Sequence, residues 1–93
     1  MKLIVAKFGG TSVGSIDRIK SVAIRIKNEI MNGYNVIVVV SAMTGETNRL
    51  IKLVESLTNN YETSEYDTVI SSGEQVTSGL LAIALNDLGV MSK

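Results

Sequence analysis

Leu3-Ile4-Val5-Ala6-Lys7-Phe8-Gly9-Gly10-Thr11-Ser12 is the stretch that decides the fold. Its first four residues are apolar and mostly unalternated, which predicts a central strand covered on both faces. Lys7-Phe8-Gly9-Gly10-Thr11-Ser12 follows, and a segment with helical periodicity comes next, so the hexapeptide is a strand-to-helix turn. Two adjacent glycines let backbone N–H groups approach a ligand with no Cβ in the way, and the next helix points its positive end at the same place. Lys7 adds a full charge beside it. From these residues alone two readings stand together: an anion-binding loop, or a tight turn with Lys7 a solvated charge at the strand end.

Working outward, Ile16, Ile19, Val22/Ala23, Ile26 and Ile30 recur at three- and four-residue steps, and this predicts an amphipathic helix. Ser15 is the expected N-cap, Asp17 sits where the helix dipole favours negative charge, and Gly33 is placed for a left-handed stop. Val36-Ile37-Val38-Val39-Val40 is the most β-branched run in the chain and reads as a second buried strand. Strand, helix and strand imply a right-handed βαβ unit with parallel strands. Ser41-Ala42-Met43-Thr44-Gly45-Glu46-Thr47-Asn48 then forms a second turn at the carboxyl edge, where open α/β sheets bind ligands. Ser41, Thr44, Thr47 and Asn48 either hydrogen-bond a ligand or cap the following helix.

Leu50, Leu53/Val54 and Leu57 mark that helix, which is expected to end at Asn59-Asn60. Tyr61–Asp67 reads as a solvated acidic connection with Asp67 as an N-cap. Val69, Gly73, Val76, Leu80, Ala84 and Leu88 then follow helical spacing up to a stop at Gly89. Within this third helix Ser71-Ser72-Gly73-Glu74 is anomalous, because an interior glycine costs about 1 kcal/mol relative to alanine. One reading is a kink or helix boundary with Ser71 and Glu74 as a capping box, the other a close backbone approach at Gly73 with Glu74 directed into a site, and the two can coexist. Gly89-Val90-Met91-Ser92-Lys93 stand where a third strand is expected to begin. Two strands and three helices would leave a sheet edge and apolar surface uncovered, so the 93 residues read as the first part of a larger domain.

Composition narrows the chemistry. Nine basic and nine acidic residues cancel and are scattered, which argues against a nucleic-acid or anionic-membrane partner. With neither cysteine nor histidine, thiolate catalysis, disulfides and the commonest metal ligand and general base are excluded. Chemistry rests on lysine, carboxylates, hydroxyls and backbone. The apolar runs are far shorter than the roughly 18 residues of a membrane span, and the N-terminal run is too short for a signal peptide. The expected compartment is the cytoplasm.

Three separated motifs can now be taken together: Lys7-Phe8-Gly9-Gly10-Thr11-Ser12-Val13-Gly14, Val38–Asn48, and Ser71-Ser72-Gly73-Glu74-Gln75-Val76. Their order, spacing and context closely resemble the N-terminal part of the aspartate kinases of the amino acid kinase family, over nearly the whole chain. The resemblance implies a partial three-layer αβα, carbamate-kinase-like α/β fold with parallel strands in β-α-β-α-α order and an incomplete sheet. Residues 1–93 would be the N-terminal part of a single amino acid kinase domain, without the nucleotide lobe and the ACT regulatory domains. It further implies transfer of the ATP γ-phosphate to the β-carboxylate of L-aspartate, with Mg2+ carried by the nucleotide, on the route to lysine, threonine and methionine. By position, Lys7 would stabilise charge on the transferring phosphoryl group, and Gly9, Gly10 and Ser12 would line the phosphate loop. Ser41 and Thr47 would contact aspartate, and Glu74 would pair with its α-ammonium. The β-carboxylate is already ionised at neutral pH, so no histidine base is needed, and phosphoryl transfer depends mostly on positioning and electrostatics.

Two alternatives remain beside it. One is another member of the superfamily, acting on glutamate, N-acetylglutamate or a nucleoside monophosphate, although Thr47-Asn48 and Gly73-Glu74 favour aspartate. The other is a non-catalytic fragment that completes its sheet by self-association or by pairing with another chain.

Overall fold

A computed structural model describes residues 2–59 and 61–92. The elements run β1 (Leu3–Phe8), α1 (Ile16–Met31), β2 (Asn35–Val40), α2 (Glu46–Glu55) and α3 (Ser64–Asp87), the β-α-β-α-α order expected. β1 and β2 pair in parallel, with Lys7 opposite Val39 and Phe8 opposite Val40. Both strands therefore end together, and the loops that leave them lie side by side.

Local signals place the ends of α1 as the sequence predicts. Ser15 Oγ accepts from Arg18 N–H at 3.2 Å, and Gly33 takes the left-handed φ of 94° that stops the helix. Ile19, Val22, Ala23 and Ile26 face a core shared with Leu81 and Leu85 of α3 and with Val13 from the glycine loop. Ile16 and Ile30, at the two ends of the stripe, stay exposed.

The strands differ from expectation in their covering. Phe8, Val36, Val38 and Val40 pack against the core, but Leu3, Val5, Ile37 and Val39 on the opposite face are 46–64% exposed. α1 and α3 both lie against the first face, and α2 packs on α3 rather than on the sheet. β1 is accordingly not a central strand among the described residues; each strand has a single partner. The molecule measures 49 × 25 × 18 Å with a radius of gyration of 15.4 Å. A compact chain of this length would have about 12 Å, so the fold is elongated.

Two boundaries also move, and an expected strand does not form. α2 ends at Glu55, short of Asn59, because Ser56 folds back onto Lys52 C=O through both its N–H (3.1 Å) and its hydroxyl (2.9 Å). Leu57 is left 88% exposed, and Asn60 lies outside the described residues. α3 begins earlier than Asp67: Thr63 is its N-cap, its hydroxyl accepting from Tyr66 N–H at 3.1 Å, and Glu65 and Asp67 sit in the first turn. Residues 90–92 form no strand; Val90 N–H turns back to Leu85 C=O at 2.9 Å and closes the helix end at Gly89. Among the described residues no helix is long and apolar enough to cross a membrane.

Candidate functional site

The glycine loop is held from both ends. Ser41 N–H donates to Phe8 C=O at 3.2 Å, and the Arg25 guanidinium lies 5.7 Å from the Phe8 ring centroid. At the other end Val13 is fully buried in the core. Between them the chain makes two successive turns, Ser12 N–H to Gly9 C=O at 3.1 Å and Gly14 N–H to Thr11 C=O at 3.4 Å. The N–H groups of Gly10 and Thr11 find no acceptor among the described residues. A Cβ on Gly9 would meet nothing within 4 Å, and its φ is ordinary, so nothing among the described residues demands glycine there. That combination suits the close approach of an anion.

The second loop closes against the first. A Cβ on Gly10 would stand 3.2 Å from Ala42 C=O, and Thr44 Oγ1 donates to Gly10 C=O at 3.1 Å. Capping does not occupy these side chains: α2 starts from Gly45 in the left-handed region (φ 80°), with no side-chain hydrogen bond at its cap. Ser41, Thr47 and Asn48 are therefore left for other work. Beside them Glu46 receives a bidentate ion pair from Arg49, whose Nε stands 3.1 Å from both carboxylate oxygens. The hydrogen bond from Arg49 holds the Glu46 carboxyl below the ordinary glutamate value and raises the guanidinium's.

Of the two readings of Ser71-Ser72-Gly73-Glu74, close approach is the one realised. α3 runs through the tetrapeptide, and the Ser71 and Ser72 hydroxyls donate to Thr68 C=O and Val69 C=O. Gly73 is buried, and a Cβ there would come 3.0 Å from Ala42 Cβ, 3.3 Å from Leu50 Cδ1 and 3.5 Å from Glu46 Cγ. Its missing side chain is what lets α3 lie against the second loop and α2. Thr77, fully buried, bonds Gly73 C=O at 3.1 Å.

The result is one open cleft of about 300 Å³ walled by Gly10, Ser41–Gly45, Thr47, Asn48 and Glu74. Four of the residues singled out in the sequence, Gly10, Ser41, Thr47 and Glu74, meet in it. Lys7, Gly9 and Ser12 do not line it. Lys7 is exposed and, by the alternation of β1, shares the open face of the sheet with Leu3 and Val5. Thr44 and Asn48, also named from the sequence, join the wall; of the residues not named, Ala42 lines it and Val13 and Gly14 lie behind it. Their signal was faint: an apolar residue inside a small polar loop, a third glycine just ahead of a cap, and an alanine between two hydroxyls.

The sequence profile of the amino acid kinase family matches residues 2–93. The chain belongs to the amino acid kinase family. It is 53% identical over 90 residues to an aspartate kinase of Pseudomonas putida, covering 97% of this chain and 22% of that protein. It is 57% identical over 90 residues to an aspartokinase of Rickettsia felis, covering 94% and 22% respectively. The crystal structure of aspartate kinase from Synechocystis superposes with a TM-score of 0.89 at 43% identity, over 95% of this chain and 15% of that one. The chain thus spans about 22% of the length of the curated relatives it matches. Their family agrees with the resemblance carried by the three motifs, and the fold agrees with a partial αβα unit of aspartate kinase.

Proposed function

We propose that this chain is the N-terminal part of an aspartate kinase, supplying the aspartate cleft and the first phosphate loop for transfer of the ATP γ-phosphate to the β-carboxylate of L-aspartate. The observation that carries the reading is the convergence of three sequence-distant segments at the carboxyl ends of both strands, in a cleft that offers hydroxyls, unpaired N–H groups and one carboxylate. A substrate with one cationic and two anionic groups needs that set. Glu74 takes the α-ammonium, and Ser41 and Thr47 hold the carboxylate end. The phosphate oxygens of ATP lie on the unpaired Gly10 and Thr11 N–H groups of the Gly9–Ser12 loop, helped by the positive end of α1. Lys7 reaches the transferring phosphoryl group from the open face of the sheet.

In the transfer itself, a β-carboxylate oxygen attacks the γ-phosphorus and the bond to the ADP oxygen breaks. No proton needs to be removed from the nucleophile. The protein's part is to hold the two reactants in line and to neutralise charge on the equatorial oxygens. Mg2+ carried by the nucleotide would neutralise further charge on its phosphates. The remaining sheet, the nucleotide lobe and the ACT domains belong to the rest of such a kinase, and the cytoplasm is the compartment proposed for it.

The test is a full-length hybrid in which this chain replaces the matching segment of the Pseudomonas putida enzyme. It is expected to phosphorylate aspartate in preference to glutamate, N-acetylglutamate and nucleoside monophosphates. Glu74→Gln should raise KM for aspartate about tenfold, the scale of one charge-assisted hydrogen bond. An unchanged KM in a folded Glu74→Gln hybrid refutes the role of Glu74, and absence of aspartate phosphorylation by the unsubstituted hybrid refutes the function.

A further inference from the structure

Thr44 does something none of its neighbours does. It stands in the wall of the cleft, yet its hydroxyl points its hydrogen bond away from the helix it precedes and into the glycine loop, onto Gly10 C=O at 3.1 Å across 34 positions of sequence. The same spot explains Gly14. A Cβ there would stand 2.5 Å from Thr44 Oγ1 and 3.1 Å from Gly10 C=O, so only glycine leaves room for the hydroxyl to reach its acceptor. Ala42 C=O closes on Gly10 from the other side, 3.2 Å from where a Cβ would be.

We infer that Thr44 is a positioning residue: its hydroxyl locks the glycine loop to the loop after β2 and thereby sets the distance between bound phosphate and bound aspartate. The inference rests on the proposed function for its kinetic consequence but not for the lock itself. The Gly10 carbonyl belongs to the same short segment as the unpaired N–H groups of Gly10 and Thr11. Peptide planarity couples that carbonyl to the Thr11 N–H, so the tie fixes this donor directly, while the Gly10 N–H shares its plane with Gly9 C=O, which Ser12 N–H holds. Removing the tie lets the loop shift relative to the cleft, and a small misplacement of reacting groups is costly in rate. Aspartate contacts from Ser41, Thr47 and Glu74 do not pass through the hydroxyl.

The experiment uses the hybrid enzyme with Thr44→Val, Thr44→Ser and Gly14→Ala. Thr44→Val keeps shape and removes the donor, whereas Thr44→Ser keeps the donor. Gly14→Ala leaves Thr44 unsubstituted and crowds both its hydroxyl and the Gly10 carbonyl that accepts from it. Thr44→Val and Gly14→Ala should lower kcat about tenfold and raise KM for ATP, with KM for aspartate within about twofold. Thr44→Ser should recover most of the loss. Hydrogen–deuterium exchange of segment 9–14 should quicken in the first two variants and not in Thr44→Ser. If Thr44→Val leaves that exchange unchanged, the lock does not exist. If Thr44→Ser is as impaired as Thr44→Val, the hydroxyl is not the active element; either result overturns the inference. Should the unsubstituted hybrid fail to phosphorylate aspartate, the proposed function falls, and the exchange comparison still decides the role of Thr44.

Discussion

Two glycines in one helix should respond to the same substitution with opposite signs. Gly73 and Gly79 both lie inside α3 with ordinary helical φ, so Gly→Ala at either gains about 1 kcal/mol of helix propensity. At Gly79 the new methyl would meet nothing within 4 Å, and the gain should appear undiminished. At Gly73 it would stand 3.0 Å from Ala42 Cβ and 3.3 Å from Leu50 Cδ1, well inside the roughly 3.5–4.0 Å at which carbon atoms attract. Ala42 and Leu50 are both buried, so neither retreats freely. Overpacking of this kind costs about 1–3 kcal/mol, leaving Gly73→Ala about 0–2 kcal/mol less stable than the parent and about 1–3 kcal/mol below Gly79→Ala. Urea unfolding followed by far-ultraviolet circular dichroism measures both. Equal stabilisation by the two substitutions would refute the close approach of α3 to the second loop. A folded Gly73→Ala hybrid should also bind aspartate more weakly, because the methyl pushes Glu74 away from Ser41 and Thr47.

Other outcomes follow from the same geometry. Lys7→Ala in the hybrid enzyme should reduce kcat far more than it changes KM for aspartate, since Lys7 lies outside the cleft wall; an unchanged kcat removes it from phosphoryl transfer. Ser15→Ala should destabilise by about 1 kcal/mol through loss of the bond to Arg18 N–H, read as a lower urea midpoint. The Glu46 carboxyl is held below its ordinary value by Arg49, so the pair contributes stability above the unfolded-state pKa of glutamate, and this is lost as pH falls through the lower folded value. Arg49→Met should therefore flatten the acid limb of the stability profile. An exposed pair of this kind should weaken likewise in high salt.

The parts of this protein legible in its sequence are those decided within a few residues. Ser15 before Arg18, and Gly33 and Gly89 after their helices, act through bonds to neighbours, and each does what its position predicts. The unalternated runs announced β1 and β2, and the spacing between them announced a parallel pair. Local context marked the glycine loop, the hydroxyls after β2 and the Ser71–Glu74 tetrapeptide as candidates and left each with a purely structural alternative, and the resemblance of the three motifs supplied the roles of the seven named residues. Where two local devices competed, the expectation fell on the wrong one: Thr63 rather than Asp67 caps α3, and Ser56 ends α2 before the asparagines. Tertiary structure alone decided what faces what. Gly73 is intelligible only once Ala42 and Leu50 are against it, and Thr44 only once Gly10 and Gly14 are beside it. The four apolar residues left bare on the sheet make the same point. A strand's sequence states that both faces are apolar, but which face is covered depends on helices packed from elsewhere in the chain, and α1 and α3 both lie on one side.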